Sequence, residues 1–185
     1  MRDDALSVIA CGSSAASQLP VYLMWLRQEI DLDLRVLLTG SATRFIQPQV
    51  AAWHADEAYT SDDPALNPTE FAKRSAAVVV LPATANTLAA AALGLAATPA
   101  QTVLLAADRP AIFFPNMNRS MWVKEPTRRH VATLRADGHT VVDPQEQVVY
   151  ELWRRENAQG ITMPPPEEVV ETVVTWLEKN LVPGD

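Results

Sequence analysis

The sequence predicts a doubly wound, parallel α/β sheet forming a single domain over residues 1–185. Three observations carry this. Short apolar runs alternate with helix-period segments along the chain. One run, Val78-Val79-Val80-Leu81, is continuously apolar, as a central parallel strand covered on both faces must be. Clusters of small polar residues follow directly after the runs, at the strand ends where such sheets bind ligands.

The elements follow in order. Residues 6–11 (Leu-Ser-Val-Ile-Ala-Cys) read as a short buried strand. A helix over about 16–29 repeats Leu19, Leu23 and Leu26 at helical spacing. Residues 34–39 make the second strand, followed by Gly40-Ser41-Ala42-Thr43 and a further helix. Residues 76–81 are the central strand. The alanine-rich stretch 88–95 is a strong helix former. Residues 101–106 and 111–114 are two further strand candidates, and 127–137 a helix. Residues 140–142 form a last short strand. The stiff Pro164-Pro165-Pro166 run precedes an amphipathic helix over 169–181.

Composition narrows the function. The chain has 185 residues, 48% of them apolar and 20% charged, enough for one ordinary core. Its 15 basic and 22 acidic residues leave a net charge of -7. Nucleic acid and anionic membranes are therefore poor partners, because binding phosphate needs cations. No run reaches the roughly 20 apolar residues of a membrane helix. Met1-Arg2-Asp3-Asp4 lacks the basic flank and apolar stretch of a signal peptide. The single cysteine, Cys11, cannot form an internal disulfide or build a thiolate metal site alone. A reducing cytoplasm and no metal centre are expected.

Gly12-Ser13-Ser14, between a strand and a helix, has two readings. Its amides and hydroxyls suit an anion such as a flavin phosphate, or it is a glycine turn with serine caps. Neither G-x-G-x-x-G nor G-x-x-x-x-G-K is present. Pro82-Ala83-Thr84-Ala85-Asn86-Thr87 and Pro115-Asn116-Met117-Asn118-Arg119-Ser120-Met121-Trp122 are the most distinctive strings. Each places asparagine at a strand end with no acid in the string. That suits neutral recognition of a planar heterocycle and a carboxylate rather than acid–base chemistry. Asparagine-stabilised turns would explain either one singly.

These strings resemble the PASANT and PXMNXXMW motifs of the homo-oligomeric flavin-containing cysteine decarboxylases. The first differs only at Thr84, where the family has serine. The second matches at every fixed position. Gly12-Ser13-Ser14-Ala15-Ala16, Phe45-Ile46 and Ile161-Thr162-Met163-Pro164 agree in order, so the resemblance spans roughly residues 6–177. Within the family the chain is most similar to the epidermin-type peptidyl-cysteine decarboxylases.

The resemblance implies a flavodoxin-like (Rossmann-like) fold that binds FMN, or sometimes FAD, at a subunit interface of a homotrimer or homododecamer. It implies that Gly12, Ser13, Ser14, Ser41, Phe45, Pro82, Ala83, Thr84, Asn86, Thr87 and Ala106 hold the flavin. Asn118 would be the catalytic residue, with Asn116, Met117, Met121, Arg155 and Met163 binding substrate. A clamp over about 145–163 would close on the peptide. The implied reaction is oxidative decarboxylation of the C-terminal cysteine of a ribosomally made precursor peptide. Its product is an aminoenethiol for thioether ring formation.

The match fails at one place. The family carries an active-site histidine about fourteen residues before the first motif's proline, and Pro68 stands there. Proline has neither a titratable group nor an amide hydrogen. His54 and Glu70 are candidate substitutes; His130 and His139 fall on a surface helix and a turn. Arg154-Arg155 either pairs with a substrate carboxylate or lies on a solvated helix face. Trp25, Trp53, Trp153 and Trp176 are core or interface candidates. Two other functions fit the same strings: a non-catalytic flavin-binding partner subunit, and a phosphopantothenoylcysteine decarboxylase-like enzyme.

Overall fold

The computed structural model describes residues 4–151 and 154–181. Six parallel strands form the sheet: β1 (Ala5–Ala10), β2 (Asp33–Leu38), β3 (Glu57–Thr60), β4 (Ser75–Ala83), β5 (Ile112–Pro115) and β6 (Thr140–Val141). Their order is β3-β2-β1-β4-β5-β6. With edge strand β3 set aside, the remaining strands renumber to 2-1-3-4-5, the flavodoxin-like order. The predicted fold class is therefore the observed one. The order reverses between β1 and β4, so their carboxyl ends splay into a crevice.

Side-chain alternation builds two cores. Leu6, Val8 and Ala10 of β1 face α1 (Leu19–Glu29), α2 (Pro48–Ala52) and α8 (Pro166–Leu181). Ile9 and Cys11 point the other way. They meet α3 (Pro68–Lys73), α4 (Ala85–Ala92), α5 (Pro99–Ala106) and α7 (Glu125–Ala136). Leu19, Leu23 and Leu26 are all buried, as the helical spacing requires. β4 sends Val79 and Leu81 to one face and Val78 and Val80 to the other, which is why its sequence shows no polar alternation.

The structure corrects one element. Residues 101–106, predicted as a strand, belong to helix α5. The Thr98 hydroxyl accepts from the Gln101 amide at 3.4 Å, and Pro99 fills the first turn. Both are helix-start chemistry. Val103 and Leu104 then bury on one helical face.

The predicted set lacks β3, α3, the short helix α6 (Arg119–Trp122), and a two-stranded antiparallel hairpin of β7 (Gln145–Glu151) and β8 (Glu156–Thr162). Arg155, read above as a partner of a substrate carboxylate or part of a solvated helix face, sits in the hairpin turn with φ 57, not on a helix. Trp153 lies outside the described residues. Trp176 is buried and Trp25 packs on the same core, whereas Trp53 is 71% exposed.

Arg35 locks α3 to the sheet edge. Its side chain is 1% exposed, with Nε 3.2 Å from Glu57 Oε2 and the guanidinium 4.1 Å above the Phe71 ring. Its Nη1 donates to the Phe71 carbonyl at 3.4 Å. Burial pulls the guanidinium pKa down, against the opposing charge of Glu57. No helix among the described residues is long and apolar enough to cross a membrane.

Candidate functional site

The carboxyl ends of β1 to β5 open into one cleft of about 1850 Å³, roofed on one side by the β7–β8 hairpin. That exceeds the roughly 300–1,000 Å³ of a pocket for one drug-sized ligand and leaves room for two.

The floor is built from loops that touch across long sequence separations. After β1, Ser13 opens a 3-10 turn (Ser14–Gln18), its hydroxyl oxygen accepting from the Ala15 amide at 3.3 Å. The same hydroxyl donates to the side-chain carbonyl of Asn116. Gly12 is required by close approach: a Cβ there would stand 2.3 Å from the Ser41 Cβ and 2.9 Å from the Ser41 carbonyl carbon. Gly12, Ser13, Ser14 and Ser41 all line the cleft.

After β4, the Thr84 hydroxyl caps α4 by accepting from the Thr87 amide at 3.3 Å. Thr87 donates its own hydroxyl to the Cys11 sulfur at 3.1 Å. Burial pushes the Cys11 thiol up to about 11, with the Thr87 hydrogen bond acting weakly against it. Cys11 is thus a neutral floor residue rather than a nucleophile. Thr84, Asn86 and Thr87 line the cleft.

After β5, the Asn116 amide nitrogen donates to the Ala83 carbonyl at 2.8 Å, tying the two motif loops together. Asn118 holds the N-cap position of α6 (Arg119–Trp122), yet its side chain makes no capping bond. Its amide therefore stays available to the cleft. Asn116, Met117, Asn118 and Met121 line the same space, and Met163 reaches it from the end of the hairpin.

Five residues expected at the site do not line it. Pro82 and Ala83 are buried in β4 and work through their carbonyls, which accept from the Cys11 and Asn116 amides. Phe45 closes the turn after β2 and is 42% exposed. Ala106 is the last residue of α5, because the segment is a helix whose other end meets the cleft. Arg155 stands at the hairpin turn.

Neither candidate substitute for the histidine lines the cleft. Glu70 pairs with Arg74 at 2.9 Å along α3, and His54 follows α2. Pro68 begins α3, where Asn67 Oδ1 accepts from the Thr69 and Glu70 amides at 3.1 and 3.2 Å. It too is outside the lining.

The structure adds lining residues that sequence reasoning missed. Tyr22, on α1, donates its hydroxyl to the Pro164 carbonyl at 2.9 Å and so anchors the hairpin exit. Burial, then the charge of Glu167, raises the Tyr22 pKa. Asp62 arrives from the end of β3, and Val148, Tyr150 and Glu151 from β7. The Thr98-Pro99 pair was a legible helix start that would have placed Gln101 at the rim. Nothing local marked Asp62.

The donor set fits a flavin. Hydroxyls of Ser13, Ser14 and Ser41 surround the loop after β1 with no carboxylate among them, which suits a phosphate. A Cβ built on Gly40 would meet nothing within 4 Å, so that strand end stands open beside them. The Thr84–Thr87 and Asn116 segments supply the neutral groups that a planar heterocycle needs. Among the described residues no group of acids, histidines and cysteine could hold a metal ion.

A family model described as Flavoprotein matches residues 1–178. Mersacidin decarboxylase of Bacillus sp. (strain HIL-Y85/54728) is 30% identical over 155 residues, 82% of this chain and 79% of that one. Epidermin decarboxylase of Staphylococcus epidermidis is 27% identical over 170 residues, 90% of this chain and 93% of that one. A solved structure of a histidine-to-asparagine variant of EpiD, complexed with substrate peptide DSYTC, aligns with a TM-score of 0.85 and 28% identity. The alignment covers 92% of this chain and 98% of that one.

Proposed function

The chain belongs to the Flavoprotein family, and on that footing we propose that it is an FMN-dependent decarboxylase of the C-terminal cysteine of a precursor peptide. The net change in the peptide is loss of carbon dioxide and two hydrogens, leaving an aminoenethiol. One observation carries the reading. The Asn116–Met121 segment and the Ser13–Ser14 loop share a single cleft, joined by the Ser13–Asn116 hydrogen bond and roofed by a hairpin. The likeness to a relative complexed with a cysteine-terminated peptide supports it.

A bound flavin supplies a two-electron acceptor, which permits oxidation of the substrate cysteine. Gly12, Ser13, Ser14, Ser41, Thr84, Asn86 and Thr87 would hold it. Ser13 fixes the side-chain carbonyl of Asn116 and thereby presents its NH₂ to the cleft. Asn118, free of capping duty, binds the substrate carboxylate through neutral donors. A neutral partner does not tie carbon dioxide down as a cation would. Met117, Met121 and Met163 give the sulfur-bearing side chain an apolar seat. The β7–β8 hairpin acts as the clamp.

We read Pro68 as standing where the family's histidine stands. No histidine lines the cleft among the described residues. The substrate thiol then ionises unaided. At a pKa of about 8.5, roughly 3% is thiolate at neutral pH, a cost of about 2 kcal/mol. The enzyme is slow but competent. A homo-oligomeric assembly, trimer or dodecamer, would cover exposed Leu93, Leu95 and Leu105.

The test is the FMN-loaded protein with peptide DSYTC and a panel of other cysteine-terminated peptides, read by mass spectrometry. Loss of carbon dioxide and two hydrogens is expected. Unchanged masses with flavin demonstrably bound would turn the assignment to a partner subunit or a phosphopantothenoylcysteine-type substrate.

A further inference from the structure

Among the described lining residues Arg119 alone is basic, and it directly follows Asn118 as the first residue of α6. Its Nη2 lies 2.9 Å from Glu146 Oε1 on β7, so the guanidinium spans from the motif loop to the hairpin. Arg119 lines the cleft and Glu146 does not, so the positive partner of the pair is the one at the cleft wall. Both side chains are open to water, at 56% and 66% exposure. Exposed pairs of this kind are weak and readily exchanged. The two arginines of the hairpin turn, Arg154 and Arg155, do not line the cleft, and Arg154 is engaged by Glu151 at 3.3 Å and Glu156 at 3.6 Å. On a chain of net charge -7, an acidic peptide has little else to attract it.

Resting on the peptide reading above, we infer that Arg119 is a specificity-determining residue that exchanges Glu146 for an acidic side chain upstream of the substrate's terminal cysteine. Guanidinium binds carboxylate through paired, charge-assisted hydrogen bonds, which favours the exchange when the peptide fills the cleft. An extended peptide advances about 3.3–3.6 Å per residue, so an arginine beside Asn118 reads about two or three residues before the cysteine. The hairpin loses its Glu146 tie in the same event, which links recognition to adjustment of the clamp.

The experiment uses the FMN-loaded protein and pentapeptides ending in cysteine, identical except for Glu or Gln at the second or third position before it. Binding is read by anisotropy of labelled peptides, and KM and kcat separately by mass spectrometry. The Glu peptide should bind about five- to tenfold tighter and show that gain in KM, with kcat unchanged. The preference should shrink in high salt. Arg119→Gln should erase it, and Arg119→Glu should transfer it to a Lys-bearing peptide. A merely structural arginine would not reverse the charge preference. Equal binding and turnover of Glu and Gln peptides would overturn the inference and leave the decarboxylase assignment standing. Flavin-loaded protein that turns over no peptide would remove that assignment, and the anisotropy series would then decide Arg119 by itself. If Arg119→Glu fails to fold, Arg119→Gln still decides.

Discussion

Ser13 donates its hydroxyl to the side-chain carbonyl of Asn116, joining loops 103 positions apart in sequence. One loop follows β1 and the other follows β5, and β4 lies between those strands in the sheet. The bond therefore crosses the crevice where strand order reverses. It couples the loop after β1 to the loop after β5, and the first prediction follows from it.

Ser13→Ala should leave the Asn116 carbonyl without its donor in a half-buried site. A lost hydrogen bond of this kind costs about 1 kcal/mol, so flavin affinity should weaken about fivefold. Flavin fluorescence titration measures this. Ser13→Thr keeps the hydroxyl and should restore most of the affinity.

Gly12→Ala and Gly40→Ala should separate cleanly. A Cβ at position 12 meets the Ser41 Cβ at 2.3 Å and its carbonyl carbon at 2.9 Å, and backbone cannot rotate aside as a side-chain tip can. We expect a loss of about 1–3 kcal/mol, typical of overpacking. A Cβ at position 40 meets nothing within 4 Å, and stability should hold within about 0.5 kcal/mol. Urea melts of the two variants give both numbers.

Stability should fall in mild acid because of His139. The Ala111 amide donates to His139 Nδ1 at 2.8 Å, and the ring packs edge-on against Phe113 at 5.5 Å. Burial holds the His139 pKa below its usual 6.5, partly offset by Asp137. The unfolded chain therefore binds the proton more readily. This contribution is complete above pH 6.5 and is lost as pH falls toward the lower folded value. Urea midpoints at pH 7.5 and 5.5 should differ, and His139→Asn should flatten that part of the slope.

Glu57→Ala should cost more than Arg35→Met. Removing Glu57 strands the buried Arg35 guanidinium, whose Nη2 already lacks a hydrogen-bond partner. Breaking a buried pair costs about 3–5 kcal/mol, whereas an apolar replacement of the charge is often near neutral. Thermal melts rank the two. Equal losses would show that Glu57, and not the buried charge, sets the energy of this edge.

Much of the architecture was legible locally. Apolar runs marked β1, β2, β4 and β5, and leucine spacing marked α1. Burial repeats at the period of the element, so a short window of residues carries the signal. The two asparagine strings stood out by residue type and order alone, and residues of both line the cleft. Segment 101–106 was misread because Val103, Leu104 and Leu105 are apolar in a row. The Thr98-Pro99 helix start held the correct answer.

Other features had no local signature. β3 is four half-buried residues whose only reason to be extended is the free edge of β2. The β7–β8 hairpin has strands without a regular buried face, and its identity lies in their pairing, from Gln145↔Thr162 to Glu151↔Glu156. Which residues line the cleft was likewise decided in three dimensions. Phe45 and Ala106 drop out, while Tyr22, Asp62 and Arg119 enter. The sequence by itself determined the fold class, the strand-end motifs and the neutral character of their asparagine side chains, because these depend on residue type and short spacing. Only the tertiary structure decided that Gly12 touches Ser41, that Ser13 reaches Asn116 and that Arg119 meets Glu146. Those contacts exist because parallel crossovers return each strand to the same end of the sheet, bringing together residues that chain separation keeps apart.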